Sequence, residues 1–271
     1  MKEVAWQFGD RRQLVGVVTE PSSATTGVGC ILITAGLLPK PGPFRLYTQL
    51  ARRLAHEGVV TLRFDLGGIG DSQRTSAGRL EARTLVEIKS AVDSLAEAYP
   101  INRTVLGGLC SGAEDAFRFA EHDRRIVDVA MIDPFAYRTW GWSWRHQLFR
   151  VRRRLLRTLG VFQPFSGSSG GGGAVVYQCM ERGESQRILE ALLVRRVGVH
   201  FFYTGGRCED FNYPGQIKEM FPGLDLRGLV TVDYFPHFGH TQPFQEDRDT
   251  LIEAIASRIG EPKSEPLHAG T

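Results

Sequence analysis

Five residues at one junction constrain this chain more than any others. A strand-like apolar run, residues 104–109, passes without a spacer into a helix-like run, residues 113–121, and the turn between them reads Gly108-Leu109-Cys110-Ser111-Gly112. So sharp a strand-to-helix turn strains the backbone of its central residue, and it crowds the two flanking positions until only glycine avoids a collision. Gly108 and Gly112 are centred on Cys110, whereas centring on Ser111 would need glycines where Leu109 and Ala113 stand. Cys110 is therefore the candidate nucleophile. The helix that starts behind it offers unsatisfied N–H groups and the positive end of its dipole, both of which favour a thiolate. The Ser111 N–H falls where an oxyanion would form. A small thiol simply packed at a tight turn is the competing account of the same cysteine.

The rest of the chain supplies the frame for such a turn. Residues 4–8 and 14–19 alternate in polarity around Gly9-Asp10 and predict an antiparallel hairpin. Residues 28–34 (VGCILIT) form a continuous apolar run, as in a strand buried on both faces, and residues 44–56 repeat apolar positions at helical spacing up to Gly58. Further strands are predicted at 59–65, 104–109, 127–132, 199–204 and 230–235, and helices at 82–98, 113–121, 185–195, 216–221 and 245–259. This succession predicts an α/β protein with a mainly parallel central sheet and helices on both faces. Ligands of such sheets bind at the carboxyl ends of the strands. With 271 residues the chain suits one core with an embellishment. That core is expected over residues 1–137 and 180–260, with residues 261–271 as a disordered tail rich in Pro, Lys and Glu.

Composition excludes several function classes. Hydrophobic residues at 42% and charged residues at 23% describe a soluble globular chain. No run approaches the ~20 apolar residues of a membrane span, and the charged start MKEVAWQFGDRRQL does not read as a signal peptide, so a cytoplasmic location is expected. Cys30, Cys110, Cys179 and Cys208 lie far apart, without the paired spacing of a zinc site. They are expected as free thiols, and neither a metal nor another cofactor is expected. A net charge of +3 is too small to imply nucleic acid.

Around this turn the chain resembles the α/β-hydrolase superfamily over nearly its full length. Ile33-Thr34-Ala35-Gly36-Leu37-Leu38 ends a strand where that superfamily carries its oxyanion loop, which implies the Leu37 N–H as a second oxyanion donor beside Ser111. The histidine usual in that loop is absent here. Residues 63–72, Arg63-Phe64-Asp65-Leu66-Gly67-Gly68-Ile69-Gly70-Asp71-Ser72, resemble the superfamily's R-x-D-x-x-G-x-G-x-S turn, a structural feature more often than a catalytic one. Dienelactone hydrolases also place a cysteine in the elbow. The stretches GPFRLYTQLARRLA and GLCSGA look more like thioesterase-like hydrolases associated with polysaccharide or polyketide biosynthesis. In this fold the histidine follows the last strand. The order Pro236-His237-Phe238-Gly239-His240 favours His240, through its Gly-His ending, over His237. The other histidines lack a partner motif and read as structural. For the acid, Asp210 ranks first, because it follows strand 199–204 in the usual place. Asp133 is second, where many polyketide and peptide thioesterases of the fold carry theirs, and Glu209 is third.

Residues 138–179 are expected to form a lid insertion. Trp144, Leu148, Val151, Leu155 and Leu159 fall on one helical stripe, with Arg150, Arg153, Arg154 and Arg157 off it. Ser166–Gly173 reads as a flexible linker of a kind more often designed than natural. Between Arg138 and Arg157 stand seven arginines and no acidic residue, interleaved with Trp140, Trp142 and Trp144, a surface suited to an acidic acyl carrier protein. The expected activity is cysteine-dependent hydrolysis of an ester or thioester through a Cys110 acyl-enzyme, acting on a small-molecule acyl substrate. Acyl transfer or cyclisation (Dieckmann, lactone or lactam formation) is the alternative. A non-catalytic binding protein built on the same fold is the third reading.

Overall fold

The computed structural model describes residues 1–74, 80–158, 179–207 and 209–259. The hairpin β1 (Lys2–Phe8) and β2 (Leu14–Glu20) opens the chain. It is followed by β3 (Val28–Ile33), α1 (Leu46–His56), β4 (Val60–Phe64), α2 (Leu80–Ala98), β5 (Arg103–Leu109) and α3 (Ser111–Ala120). Then come β6 (Ile126–Ile132), α4 (Trp140–Thr158), α5 (Arg182–Val194), β7 (Gly198–Thr204), α6 (Gln216–Met220), β8 (Val230–Phe235) and α7 (Gln245–Ile259).

All of the strands join one sheet in the order β1-β2-β4-β3-β5-β6-β7-β8. β2 runs antiparallel to both β1 and β4, and every other pairing is parallel. The inner strands are buried on both faces, which is why β3 (VGCILI) and β7 (GVHFFYT) read as unbroken runs rather than alternating ones. Successive residues serve opposite faces: Ile31 and Ile33 pack on one side with α2 and α3, and Cys30 and Leu32 pack on the other with α1 and α7.

This order sets where a ligand can bind. From β3 the chain crosses to β4 on one side and then returns to β5 on the other, so the loops after β3 and β5 diverge above a crevice at the strand carboxyl ends. Residues 34–38 and Cys110 lie on those two loops.

Helix α1 starts two residues later than its apolar spacing predicts. Phe44 and Arg45 hold positive φ of 45° and 65°, and the N–H groups of Tyr47 and Thr48 turn back to the Pro41 carbonyl at 3.0 and 3.3 Å. The Pro41-Gly42-Pro43 segment makes a tight entry turn that periodicity does not register. Among the described residues no helix is long and apolar enough to cross a membrane.

Both elbow glycines are sterically required. A Cβ on Gly112 would press on the Ile33 carbonyl and come within 2.7 Å of the Thr34 carbonyl, and one on Gly108 would come within 2.6 Å of the Ala113 nitrogen. Backbone atoms cannot rotate away as a side chain can. Gly112→Ala is therefore expected to lower stability by about 1–3 kcal/mol, the usual range for overpacking. Urea unfolding checks this, and an unchanged midpoint would mean that α3 can part from β3 freely.

Candidate active site

β5 ends at Leu109 and delivers Cys110 into the turn with φ 52° and ψ −119°, a strained conformation for a residue with a side chain. The conformation is held from both sides. The Cys110 N–H donates to the Ile132 carbonyl at 2.8 Å, and its own carbonyl accepts from the Ala113 and Glu114 N–H groups of α3. The thiol is half-buried, whereas Cys30 lies fully buried in the sheet, where burial pushes its thiol up to about 12.

The loop after β3 is fastened to the elbow. The Gly36 N–H donates to Ser111 Oγ at 2.9 Å, and the Leu38 N–H closes a turn onto the Ala35 carbonyl at 2.9 Å. Between these two lies Leu37, whose side chain is exposed. Ser111, the first residue of α3, has no carbonyl one turn back within its helix to receive its N–H. Below the loop, the buried Tyr47 hydroxyl donates to the Ile33 carbonyl at 2.9 Å and accepts from the Leu109 N–H at 2.8 Å, tying the ends of β3 and β5 together. Burial keeps this phenol protonated well above its usual range. Tyr47 escaped notice in the sequence because it falls on the apolar stripe of α1 and reads there as core.

Asp65 secures the loop from the other end. Its buried carboxylate accepts from the Lys40 N–H, the Lys40 ammonium (2.8 Å) and the Asp71 N–H (3.0 Å). Ser72 Oγ donates to the Asp65 carbonyl at 2.6 Å. Residues 63–72 thus form a closed polar turn.

His240 follows β8 and meets Asp133 through its Nδ1. Nδ1 lies 2.8 Å from Asp133 Oδ2, and Cys110 is near enough to help raise the imidazole. Asp133 is fully buried at the end of β6 and holds a positive φ of 45° immediately before Pro134, a conformation disfavoured there. The neighbouring strand compensates: Asp133 accepts from the Thr204 N–H and Oγ1–H, both at 2.6 Å, and donates its own N–H to the Phe202 carbonyl at 2.9 Å. Gly206 allows the close approach of His240, since a Cβ there would lie 2.5 Å from the His240 Cβ.

Asp210, ranked first among the acids from the sequence, stands elsewhere. Its carboxylate pairs with Arg138 at 3.1 Å, and the Arg138 Nε–H also donates to the Glu209 carbonyl at 3.0 Å. His240 faces the second-ranked Asp133 instead, because the end of β6 is nearer the sheet centre than the loop beyond β7. His237 is exposed on the loop.

The Asp133 carboxylate, and secondarily Cys110, raise His240 to about 9 against the opposing effect of burial. A histidine raised above its ordinary value near 6.5 binds its proton more tightly folded than unfolded. Its contribution to stability is therefore full below about pH 6.5 and lost as pH rises through about 9. NMR titration of the His240 ring is expected to show a midpoint near 9. A midpoint near 6.5 would contradict the Asp133 contact.

No known protein family and no curated protein matches the chain by sequence. Solved structures match along nearly all of it. An α/β serine hydrolase homologue from Coxiella burnetii superposes with a TM-score of 0.60 at 14% identity, covering 95% of this chain and 96% of that one. An α/β serine hydrolase without lid from Xanthomonas campestris gives 0.58 at 15% identity and covers 97% of each chain. The esterase domain of a Rhodothermus marinus protein gives 0.57 at 14% identity, over 96% of this chain and 97% of that one. The chain has the α/β-hydrolase fold.

On this α/β-hydrolase frame the segment after β6 begins with α4, anchored by one tryptophan. Trp142 is buried, stacks on His146 with ring centroids 4.7 Å apart, and carries the Arg138 guanidinium 4.9 Å above its ring. The Gly141 N–H donates to Glu219 at 3.0 Å and Arg145 lies over Tyr213, so α4 rests on the α6 region. The expected apolar stripe does not make that contact: Trp144, Leu148 and Val151 are 55%, 51% and 55% exposed. The side chain of Leu155, all of Leu159 and Ser166–Gly173, Cys208, and the tail with His268 lie outside the described residues. Two concavities of about 360 and 490 Å³ open elsewhere on this hydrolase fold, and neither is lined by Cys110, Asp133 or His240. His200, read from the sequence as structural, is buried between Asp128 (3.0 Å) and Thr231 (2.8 Å) within the sheet.

Proposed function

We propose that this α/β-hydrolase fold carries a cysteine-dependent acyl hydrolase or thioesterase, with Cys110 as nucleophile, His240 as acid and base, and Asp133 orienting the imidazole. The observation that carries the reading is the hydrogen bond of His240 to the buried Asp133, with Cys110 on a strained elbow interacting with the same imidazole. A cysteine–imidazole pair with a third group fixing the ring is the general arrangement of an activated nucleophile.

The chemistry follows from the charges. With His240 protonated through neutral pH, the sulfur stands beside an imidazolium, and it attacks in the thiolate form. Attack on an ester or thioester carbonyl forms the S–C bond and moves the carbonyl π pair onto oxygen, where the Leu37 and Ser111 N–H groups receive it. Collapse expels the alkoxide or thiolate leaving group, which takes its proton from His240. Neutral His240 then removes a proton from water as that water attacks the acyl-cysteine, and the second collapse releases the acid and restores the thiolate.

A cysteine acyl-enzyme is itself a thioester and passes its acyl group to thiols and amines more readily than an oxygen ester does. Transfer or cyclisation therefore shares the first half of this mechanism. The arginine-rich α4, with Trp140 and Trp144 exposed on it, supports an acidic carrier protein as the source of the acyl chain. Incubation with a panel of acyl thioesters and activated esters, followed by intact mass, tests the reading. An acyl adduct on Cys110 that turns over in water supports hydrolysis, and one that persists until a thiol or amine is added supports transfer. No adduct with any member, from folded protein, would favour a non-catalytic binding role.

A further inference from the structure

Arg207 stands beside the His240–Asp133 pair, and no carboxylate among the described residues faces it. It ends the short turn Gly205–Arg207 that follows β7, directly after Thr204, which holds Asp133, and after Gly206, which packs on His240. Its Nη2 donates to the Pro134 carbonyl at 2.8 Å and approaches Cys179 Sγ at 3.7 Å. Against the opposing effect of burial, Cys179 and then Cys110 raise the pKa of the guanidinium. Among the described residues no carboxylate pairs with it, in contrast to Arg138 on Asp210 or Arg187 on Glu121. Nε is buried without a partner. Nη1 likewise has no partner among the described residues, yet is not buried, so one edge of the fork is open.

A permanently charged, mostly buried guanidinium loses hydration that a neutral carbonyl and a thiol only partly replace. The group that best replaces it is a carboxylate, whose two oxygens match the parallel N–H vectors of the fork. The Pro134 carbonyl fixes the plane of the fork and leaves the Nη1 side for an incoming group.

We infer that Arg207 forms an anion subsite beside Cys110 that binds a carboxylate on the acyl chain, so that the favoured substrates are half-esters or half-thioesters of dicarboxylic acids. This specificity rests on the acyl-enzyme reading of Cys110, but the subsite itself is testable without turnover.

The experiment compares alkylation of Cys110 by iodoacetate, an anion, with alkylation by neutral iodoacetamide, each mapped to Cys110 by peptide mass. Taking the ratio of the two rates cancels any effect of Arg207 on the sulfur's own reactivity. The ratio is expected to fall about tenfold in Arg207→Gln, the order expected for one lost charge-assisted hydrogen bond, and to be largely kept in Arg207→Lys. An equal ratio in wild type and Arg207→Gln would overturn the subsite. Should Arg207→Gln fail to fold, the wild-type protein suffices: succinate is expected to slow iodoacetamide at Cys110 where neutral succinamide does not, and equal or absent protection overturns the subsite. A charge-dependent ratio without any acyl adduct would leave the subsite standing and remove the hydrolase reading. An adduct without the ratio would do the opposite, and a Cys110 inert to both reagents would overturn both.

Discussion

Cys110→Ala is expected to lower kcat/KM toward the preferred ester or thioester by about 10⁴-fold or more, because every later step depends on the bond this sulfur forms. The fold should tolerate the change. Alanine keeps the Cβ, the N–H to the Ile132 carbonyl and the helix start, so the urea midpoint should move by no more than an ordinary surface substitution allows. The thiol is half-buried, which limits the packing lost with the sulfur. Cys110→Ser is the sharper companion. It preserves the shape but replaces the proposed thiolate nucleophile with a hydroxyl whose proton must leave during attack, and an imidazole held protonated to about pH 9 is poorly placed to take it. The serine variant should therefore lose most of the activity too. Retained turnover in Cys110→Ala would end the acyl-enzyme reading, and full activity in Cys110→Ser would end the ion-pair form of it.

The second large effect separates the two leading acids. Asp133→Asn is expected to reduce kcat by about 10³–10⁴-fold with little change in KM, the loss typical when an imidazole loses its orienting carboxylate. The reason is geometric. An asparagine oxygen can still accept from the Thr204 N–H, which turns the amide NH₂ toward His240 Nδ1. That nitrogen must then accept rather than donate, leaving the proton on the ring nitrogen that should take one from the nucleophile's side. The His240 midpoint should fall from about 9 toward its ordinary value in the same variant. Asp210→Asn should change kcat by less than about threefold, since an exposed ion pair such as that with Arg138 contributes little. A larger loss in Asp210→Asn than in Asp133→Asn would reverse the assignment.

The choice between these carboxylates also marks where reading the sequence runs out. Asp133 in the dipeptide Asp133-Pro134 reads as a turn-starting cap, and Asp210 follows the strand where a carboxylate is usual. Nothing local distinguishes them, because the deciding groups belong to other strands. Thr204 supplies two donors from β7, and His240 reaches Asp133 across 107 residues of sequence. Tyr47 is a similar case, since its hydroxyl matters only because β3 and β5 are neighbours. Arg207 offered no motif at all. In α4, helical spacing identified a stripe at Trp144, Leu148 and Val151, but it could not tell what the helix would face, and the anchor is Trp142 on another side.

What the sequence alone determined was whatever is governed by contacts within a few residues. Gly108 is demanded by a clash within the turn itself, against Gly112 and Ala113, and the unbroken apolar runs of β3 and β7 announce strands covered on both faces whichever helices cover them. The Gly239-His240 ending is equally local. Only the tertiary structure decided which carboxylate meets the imidazole, which tyrosine braces the loop over the elbow and that Arg207 meets a carbonyl and a thiol rather than a carboxylate. Those outcomes depend on sheet order and register, which bring together residues that no spacing along the chain relates.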